Sequence, residues 1–422
     1  MYPANAKSPV IFTNFTGAMN AKTLKIVPKI KYGDERLALL SHYMHTRDMV
    51  AGDCYRNEAE ALLCEGQPMT DAEVSIACEP VVQYNLFPEF YSVPFPPSLE
   101  QSVPFIDLFA GIGGIRLPFD ELGYNCVFTS EWDAKACQTY FANFGIYPFG
   151  DITKIPAERI PAHKLLLAGF PCQAFSIMGK MKGFEDTRGT MFFEIERILK
   201  HHCPPYILLE NVKQLVGHDG GRTFKVILEH LDALGYFVKW KVLNALDFGL
   251  PQKRERVIIV GFTDKADYER FNFDFTPQKH DLAAILEDEA NIDKTLYASD
   301  HIIARRREQT LGKKVFYPSI WHENKAGNVS VLDYSCALRT GASYNYLLVN
   351  GVRRPTSREL LRLQGFPEEF RITVTHQDIR RQTGNSVAVP MIRMVARKID
   401  NIIKSKENEA STFTRLKTAP YA

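Results

Sequence analysis

Phe105-Ile-Asp-Leu-Phe-Ala-Gly-Ile-Gly-Gly-Ile-Arg116 reads as an apolar strand that runs into a glycine-rich turn and then a helix. Glycines at such a turn let a ligand approach the backbone at the helix N-terminus, where N–H groups without helical partners point outward. The dinucleotide fingerprint fails here, because after Gly111 and Gly113 it requires a small residue where this chain has Arg116. Pyrophosphate is therefore disfavoured as the ligand. A glycine turn alone is as consistent with a structural role, so the flanking strands must decide.

Downstream of this turn, short apolar runs alternate with amphipathic helical segments, the pattern of a sheet covered by helices. Candidate strands span 105–109, 126–130, 165–168, 206–209, 236–243 and 257–261. The fold class expected is α/β, a doubly wound mixed sheet with a smaller inserted domain. From about 263 to 352 the alternation stops and turn-formers, polar residues and the cluster Arg305, Arg306, Arg307, Lys313 and Lys314 take over. Val387, Val389, Ile392, Val395, Ile399 and Ile402 then form one apolar stripe, which predicts a helix packing back onto the sheet. The expected segments are an N-terminal extension 1–103, a catalytic domain 104–262, the insertion 263–352, a returning part 353–404 and a tail 405–422.

At 422 residues and 45% hydrophobic content the chain can build more than one core. Neither a membrane span nor a secretory signal is legible, so cytoplasmic residence is expected. The eight cysteines include no C-x-x-C pair, and no metal site is expected. The net charge of +2 hides an asymmetry: residues 1–40 carry six basic against two acidic side chains, 41–100 two against ten. The region from 101 on is the basic part. Before it, a helical pattern at 36–44 is followed by a run with Pro88, Pro94, Pro96, Pro97 and Pro104, which reads as an extended linker. Disorder with a few helices is the expectation for this extension, which lacks a convincing helix-turn-helix pattern.

Three strand ends carry groups suited to an adenosine without phosphates. Glu131 could accept both ribose hydroxyls, Trp132 could stack on a purine, and Asp151, preceding Ile152, could accept from an adenine amino group. Singly, each acid reads more readily as a helix cap or a solvent-facing acid; together they favour a cofactor site.

The sharpest signal is Gly169-Phe-Pro-Cys-Gln-Ala-Phe-Ser176, directly after a strand. Cys172 there sits where a nucleophile would be presented to a cleft, although a lone cysteine is more often a small buried hydrophobe. Glu210 of Glu210-Asn-Val212 ends the adjacent strand, where burial would raise its pKa and let it donate a proton near neutrality. Gln252-Lys-Arg-Glu-Arg256 enters the last strand, and alternation would point Arg254 and Arg256 the same way. Solvated charges on an edge strand would look the same.

In this order the elements resemble the bacterial DNA cytosine-5 methyltransferases of the restriction-modification type. The resemblance runs from about Phe105 to Phe262 and resumes from Arg354 to about Lys404. It rests on Phe-Ala-Gly-Ile-Gly-Gly, Pro-Cys-Gln, Glu-Asn-Val, Gln-x-Arg-x-Arg and Gly-Asn-Ser-Val, all in family order. It implies methyl transfer from S-adenosyl-L-methionine, leaving S-adenosyl-L-homocysteine, to a cytosine flipped out of double-stranded DNA. Cys172 would attack C6 and Glu210 would act at N3. Arg256 would hold O2, with Arg254 nearer the DNA backbone and Gln252 supporting the loop. Ser176 and the stretch 177–188 match a loop that closes over the flipped base. Phe109, Gly111, Gly113, Glu131, Trp132, Asp151, Ile152 and Pro171 match cofactor positions, completed by Asn385.

The insertion takes the place of the family's target-recognition domain. Where the family often has Thr-Leu this chain has Ala337-Leu338, which removes a hydroxyl from the phosphate contact. Arg339, Tyr344 and Asn345 are candidate base or backbone contacts. The expected enzyme is a monomer, paired with a restriction endonuclease or an orphan or phage enzyme. A transfer-RNA cytosine methyltransferase and a dual-role DNA-binding regulator are the alternatives; the length of the insertion favours duplex DNA.

Overall fold

The computed structural model describes residues 35–64, 88–98, 102–171 and 191–418. Its centre is a six-stranded sheet in the order β2-β1-β3-β4-β7-β5. The strands are β1 (Pro104–Leu108), β2 (Asn125–Ser130), β3 (Leu165–Gly169), β4 (Tyr206–Val212), β5 (Phe237–Asn244) and β7 (Glu255–Phe262). Four form a parallel, doubly wound arrangement at one end, and the other two an antiparallel pair at the opposite end. β1, β2, β3 and β4 are mutually parallel, while β7 runs antiparallel to both β4 and β5. All six candidate strands are present, and the mixed sheet is the one expected.

Alternate residues of each strand feed two cores. Ile106, Leu166, Leu209 and Ile259 face one side, and Phe105, Leu167, Leu208 and Ile258 the other. Both sides being covered explains why the strands read as unbroken apolar runs. Each fully buried aliphatic side chain contributes about 1.5–3 kcal/mol. The C-terminal stripe lies on the second side: Ile392, Val395 and Ile399 are fully buried there. Its helix runs Val389–Thr418, so it continues well past the limit of 404 read from the sequence. Val387 lies just before it but is buried in the same core.

The extension holds a surprise. Two helices, α1 (Glu35–Thr46) and α2 (Asp53–Cys64), form a hairpin whose Leu37, Leu40, Tyr43, Tyr55 and Ala59 join the first core beside Val127, Phe128 and Phe149. Strand β2 lies at the sheet edge, where outward backbone groups lack a strand partner and invite aggregation. The hairpin satisfies them. Tyr55 Oη donates to the Val127 carbonyl at 2.8 Å, and His42 Nε2 accepts from the Thr129 N–H at 3.0 Å. Because Nε2 faces a donor, the His42 proton sits on Nδ1, which donates to the Ala38 carbonyl at 2.7 Å. The ring is therefore neutral, and burial holds its pKa down at about 3.

The proline-spaced run is docked rather than free, unlike the linker expected. Phe90 is buried and its carbonyl meets His45 Nε2 at 2.9 Å, while the Phe95 N–H donates to the Asn143 carbonyl at 3.0 Å. Asn143 lies on α3 (Ala134–Phe144), so both hairpin and run brace the side of the sheet that follows β2.

In the insertion, β8 (Ile320–Glu323), β9 (Val329–Leu332) and β11 (Leu347–Val349) form an antiparallel sheet in the order β11-β8-β9. Trp321, Val329, Val331 and Leu348 give it a small core of its own. Two-residue strands β6 (Gln252–Lys253) and β10 (Ser335–Cys336) pair in parallel and stitch it to the catalytic sheet. Phe271 and Phe273, inside the range read as insertion, pack instead in the second core of the main sheet. The basic cluster disperses: Arg306 is fully buried against Glu323 at 2.9 Å, and Arg305 reaches the same carboxylate.

Candidate active site

The glycine turn after β1 is held by the next strand. Ala110 N–H donates to the Ser130 carbonyl at 3.0 Å, and Gly111 N–H to Glu131 Oε2 at 2.8 Å. Glu131 Oε1 accepts from the Asp133 N–H at 2.8 Å. The Glu131 N–H in turn donates to the Phe149 carbonyl at 2.8 Å, which ties in the third strand end. Phe109, Gly111 and Gly113 have φ of 54°, 56° and 83°. A left-handed phenylalanine is costly, on the order of 1–3 kcal/mol, and such backbone strain clusters at ligand sites. At Gly113 a Cβ would lie 2.2 Å from the Phe144 ring, so only glycine fits; at Gly111 it would meet nothing within 4 Å, leaving the turn open to a ligand.

Glu131 is 8% exposed, and burial raises its pKa although the two backbone donors oppose the shift. Each of its oxygens still has a lone pair for a diol. Trp132 beside it is 81% exposed, a bare aromatic surface. Asp151 caps a short helical turn through Oδ1, which accepts from the Thr153 N–H, while Oδ2 faces only Lys154 at 3.8 Å. Ile152 is buried in that turn, its carbonyl accepting from Arg197. This donor set suits an adenosine: a carboxylate for the diol, a flat ring for the purine and an open glycine turn. Asn385 is exposed at the end of the helix His376–Asn385. It lies next to Ser386, whose Oγ would sit 2.8 Å from a Cβ on Gly114, so the C-terminal segment closes on the glycine turn.

Arg116, which broke the dinucleotide pattern, is fully buried behind the turn. It donates to Asp120 Oδ2 at 2.7 Å and to Tyr140 Oη at 3.1 Å, and Tyr140 donates to Asp107 at 3.2 Å. This network fixes the floor of the turn, a role the sequence reading did not assign.

The second group gathers at the carboxyl edges of β3 and β4. Gly169 and Glu210 are register partners, and a Cβ on Gly169 would lie 3.5 Å from Glu210 Oε2. Because β7 is antiparallel, its start meets the end of β4: Glu210 is opposite Ile258 and Val212 opposite Arg256. Residues two apart share a face, so Glu210 and Arg256 meet diagonally. Arg256 Nε is 2.8 Å from Glu210 Oε1. The N–H is not aligned with that oxygen, which among the described residues has no directed hydrogen bond. Burial raises the Glu210 pKa, and the charges of Arg256 and then Arg254 oppose the rise.

Arg254 departs from the role expected of it. The strand breaks at this residue, and its side chain is 1% exposed, turned into the protein. It donates to the carbonyls of Leu338 at 3.3 Å and Gly384 at 3.1 Å, and to that of Ser386. Burial and the neighbouring Arg256 lower its pKa to about 9. Gln252 bridges two segments: Nε2 donates to the Leu363 carbonyl at 2.7 Å, and Oε1 accepts from the Leu338 N–H at 3.1 Å. Asn211 was quoted in a motif without a task. Its Nδ2 donates to the Phe170 carbonyl at 2.9 Å and so anchors the start of the cysteine loop. An amide ending an otherwise apolar strand was the available signal. Pro171 is exposed at the loop entrance, and Cys172, Ser176 and 177–188 lie outside the described residues.

The model of the C-5 cytosine-specific DNA methylase family matches residues 103–401. The chain belongs to this family. The Type II methyltransferase M.NgoBI of Neisseria gonorrhoeae is 56% identical over 311 residues, which are 73% of this chain and 96% of that protein. M.HaeII of Haemophilus aegyptius is 57% identical over 292 residues, 69% of this chain and 91% of that protein. Among solved structures, the S. pombe Dnmt2 methyltransferase has the same fold at 19% identity, with a TM-score of 0.53 over 71% of this chain and 99% of that one. A putative DNA modification methyltransferase encoded within an E. coli prophage has a TM-score of 0.53 at 20% identity, covering 72% of this chain and 100% of that one. The protein is a DNA cytosine-5 methyltransferase, and family membership implies use of S-adenosylmethionine. The hairpin that seals β2 lies before the matched residues. No helix among the described residues is long and apolar enough to cross a membrane.

Proposed function

We propose that the chain methylates C5 of one cytosine, flipped out of a specific short duplex sequence, through a covalent bond between Cys172 Sγ and C6 of the base. The observation that carries this reading is the buried Glu210 carboxyl, one oxygen lacking a directed partner among the described residues, paired with Arg256 at the strand edge that launches the cysteine loop. The Cys172 thiolate adds to C6 while Glu210 donates a proton or hydrogen bond at N3, so negative charge does not accumulate on the ring. Arg256 holds the O2 carbonyl and keeps Glu210 in place. C5 thereby becomes nucleophilic. S-adenosylmethionine, when bound, supplies an electrophilic methyl group on its sulfonium. Loss of the C5 proton to a base and expulsion of the thiolate regenerate the cysteine and leave S-adenosylhomocysteine to depart. Glu131 holds the ribose diol, Trp132 covers the purine, Asp151 takes the amino group, and Phe109, Gly111, Gly113, Ile152, Pro171 and Asn385 complete the walls.

The biological setting proposed is a restriction-modification system in a bacterial cytoplasm, the protein acting as a monomer alongside an endonuclease. The relatives named Type II methyltransferases support it. Residues 263–352, with the sheet around Trp321, are the proposed target-recognition part. The test is expression in cells lacking cytosine methylation, followed by bisulfite sequencing of their DNA. Protected cytosines at one position of one short sequence are expected. Fully converted DNA, or protection confined to transfer RNA, would refute the reading.

A further inference from the structure

We infer that the seam between the insertion and the helices after it is a pocket for one phosphate of the DNA backbone, a reading that rests on the DNA methyltransferase function above. Arg339, Arg354 and Arg380 line one small recess together with Tyr344, Tyr346 and His376. The Arg354 and Arg380 guanidinium carbons stand 4.2 and 4.8 Å from the Tyr344 ring centre, and that of Arg339 stands 5.3 Å from the Tyr346 ring. Their hydrogen bonds go to neutral groups: Arg354 to Asn345 Oδ1 and the Tyr297 carbonyl, Arg380 to the Ser343 carbonyl, Arg339 to His322.

Three other buried arginines are matched by acids, Arg116 by Asp120, Arg306 by Glu323 and Arg353 by Glu359, whereas buried Arg254 is held, among the described residues, by backbone carbonyls alone. Among the described residues the three in the recess form no ion pair with a carboxylate. Converging cations without a counter-charge repel one another, and a bound anion relieves that repulsion. Two buried nitrogens also await a partner. Arg354 is 8% exposed, and its Nε, like His376 Nε2, has no hydrogen-bond partner among the described residues. His376 Nδ1 lies 2.9 Å from Ser357 Oγ; with that hydroxyl donating to it, the proton sits on Nε2, a further donor to the recess.

Size and place identify the anion. The recess admits no more than one water-sized group, which suits a single non-bridging oxygen of a phosphate seated at its mouth and shuts out a base. It borders the catalytic edge: the backbone of Arg339 and Thr340 packs on Gly384, whose carbonyl is held by Arg254. A phosphate seated here lies near the target base and fixes register without reading sequence. Tyr344 and Asn345, candidate base or backbone contacts in the sequence, shape this pocket.

The test is fluorescence anisotropy of a labelled duplex of about 30 base pairs with the full-length protein, at about 50 to 200 mM salt. One phosphate contributes about 0.9 to the slope of log affinity against log salt. The double variant R339Q/R380Q should lose about 0.9 from that slope and keep its cofactor affinity. An unchanged slope would overturn the pocket, and a loss near 1.8 would mean that each arginine holds its own phosphate, which overturns it equally. Should the double variant fail to fold, R380Q alone serves: it should bind DNA at least about threefold more weakly, and unchanged affinity would overturn the proposal. Wild-type protein that neither binds nor methylates DNA would instead remove the function on which the proposal rests.

Discussion

Arg256 Nε lies 2.8 Å from Glu210 Oε1 at the carboxyl edge of the sheet, yet that oxygen has no directed hydrogen bond among the described residues. The pair is held by charge, and burial still wins, leaving the Glu210 pKa raised. Glu210 is therefore protonated to a higher pH than an ordinary glutamate. With Cys172 active as thiolate, single-turnover methylation should rise with pH on the thiol and fall again as pH passes the Glu210 pKa. Glu210→Gln should cost about 10²- to 10⁴-fold in rate and abolish the falling limb alone. An unaltered pH profile in that variant would contradict the assignment.

For the cofactor, Glu131→Gln retains the size of the side chain but leaves one acceptor oxygen where Gly111 N–H, Asp133 N–H and a diol compete for two. Calorimetry should show S-adenosylmethionine binding weakened at least about tenfold, equivalent to about 1.4 kcal/mol. A wild-type dissociation constant would count against the ribose role.

The two arginines should fail differently. Arg254→Lys cannot reach the Leu338, Gly384 and Ser386 carbonyls together, so thermal stability and affinity for both substrates should fall. Arg256→Lys should mainly slow methyl transfer, with cofactor binding kept. The reverse pattern, read from melting curves and single-turnover rates, would exchange the roles.

How far the sequence carried these assignments can be judged from the same residues. Apolar strands covered on both faces are local patterns, so every strand of the central sheet was legible. Glu131, Glu210 and Cys172 stood in motifs at strand ends, which a doubly wound sheet brings to one edge. The burial of Arg254 was not legible because alternation, which would point it the same way as Arg256, assumes an unbroken strand, and the chain breaks between β6 and β7 at this residue. The N-terminal hairpin escaped notice because its partner, the open edge of β2, lies 87 residues from His42 at Thr129. No local pattern encodes such a contact. The phosphate recess likewise joins residues from two segments.

That hairpin carries a pH signature. His42 and His45 are buried, each with its pKa lowered from 6.5 to about 3. A depressed histidine favours the folded state above its unfolded pKa, and this contribution fades as pH falls from 6.5 towards 3, by up to about 1.4 kcal/mol per unit for each ring. Melting temperature should fall through that window. His42→Leu should flatten the fall and, by stranding the Thr129 N–H, cost about 1–3 kcal/mol at pH 8. Equal stability of the variant at pH 8 would show that the hairpin does not brace the sheet.

The covalent role of Cys172 is tested most directly by Cys172→Ser, with bisulfite sequencing for methylation and calorimetry for S-adenosylmethionine on the same preparation. Loss of methylation with cofactor affinity within about twofold of wild type is predicted; methylation at the wild-type level would contradict the covalent mechanism.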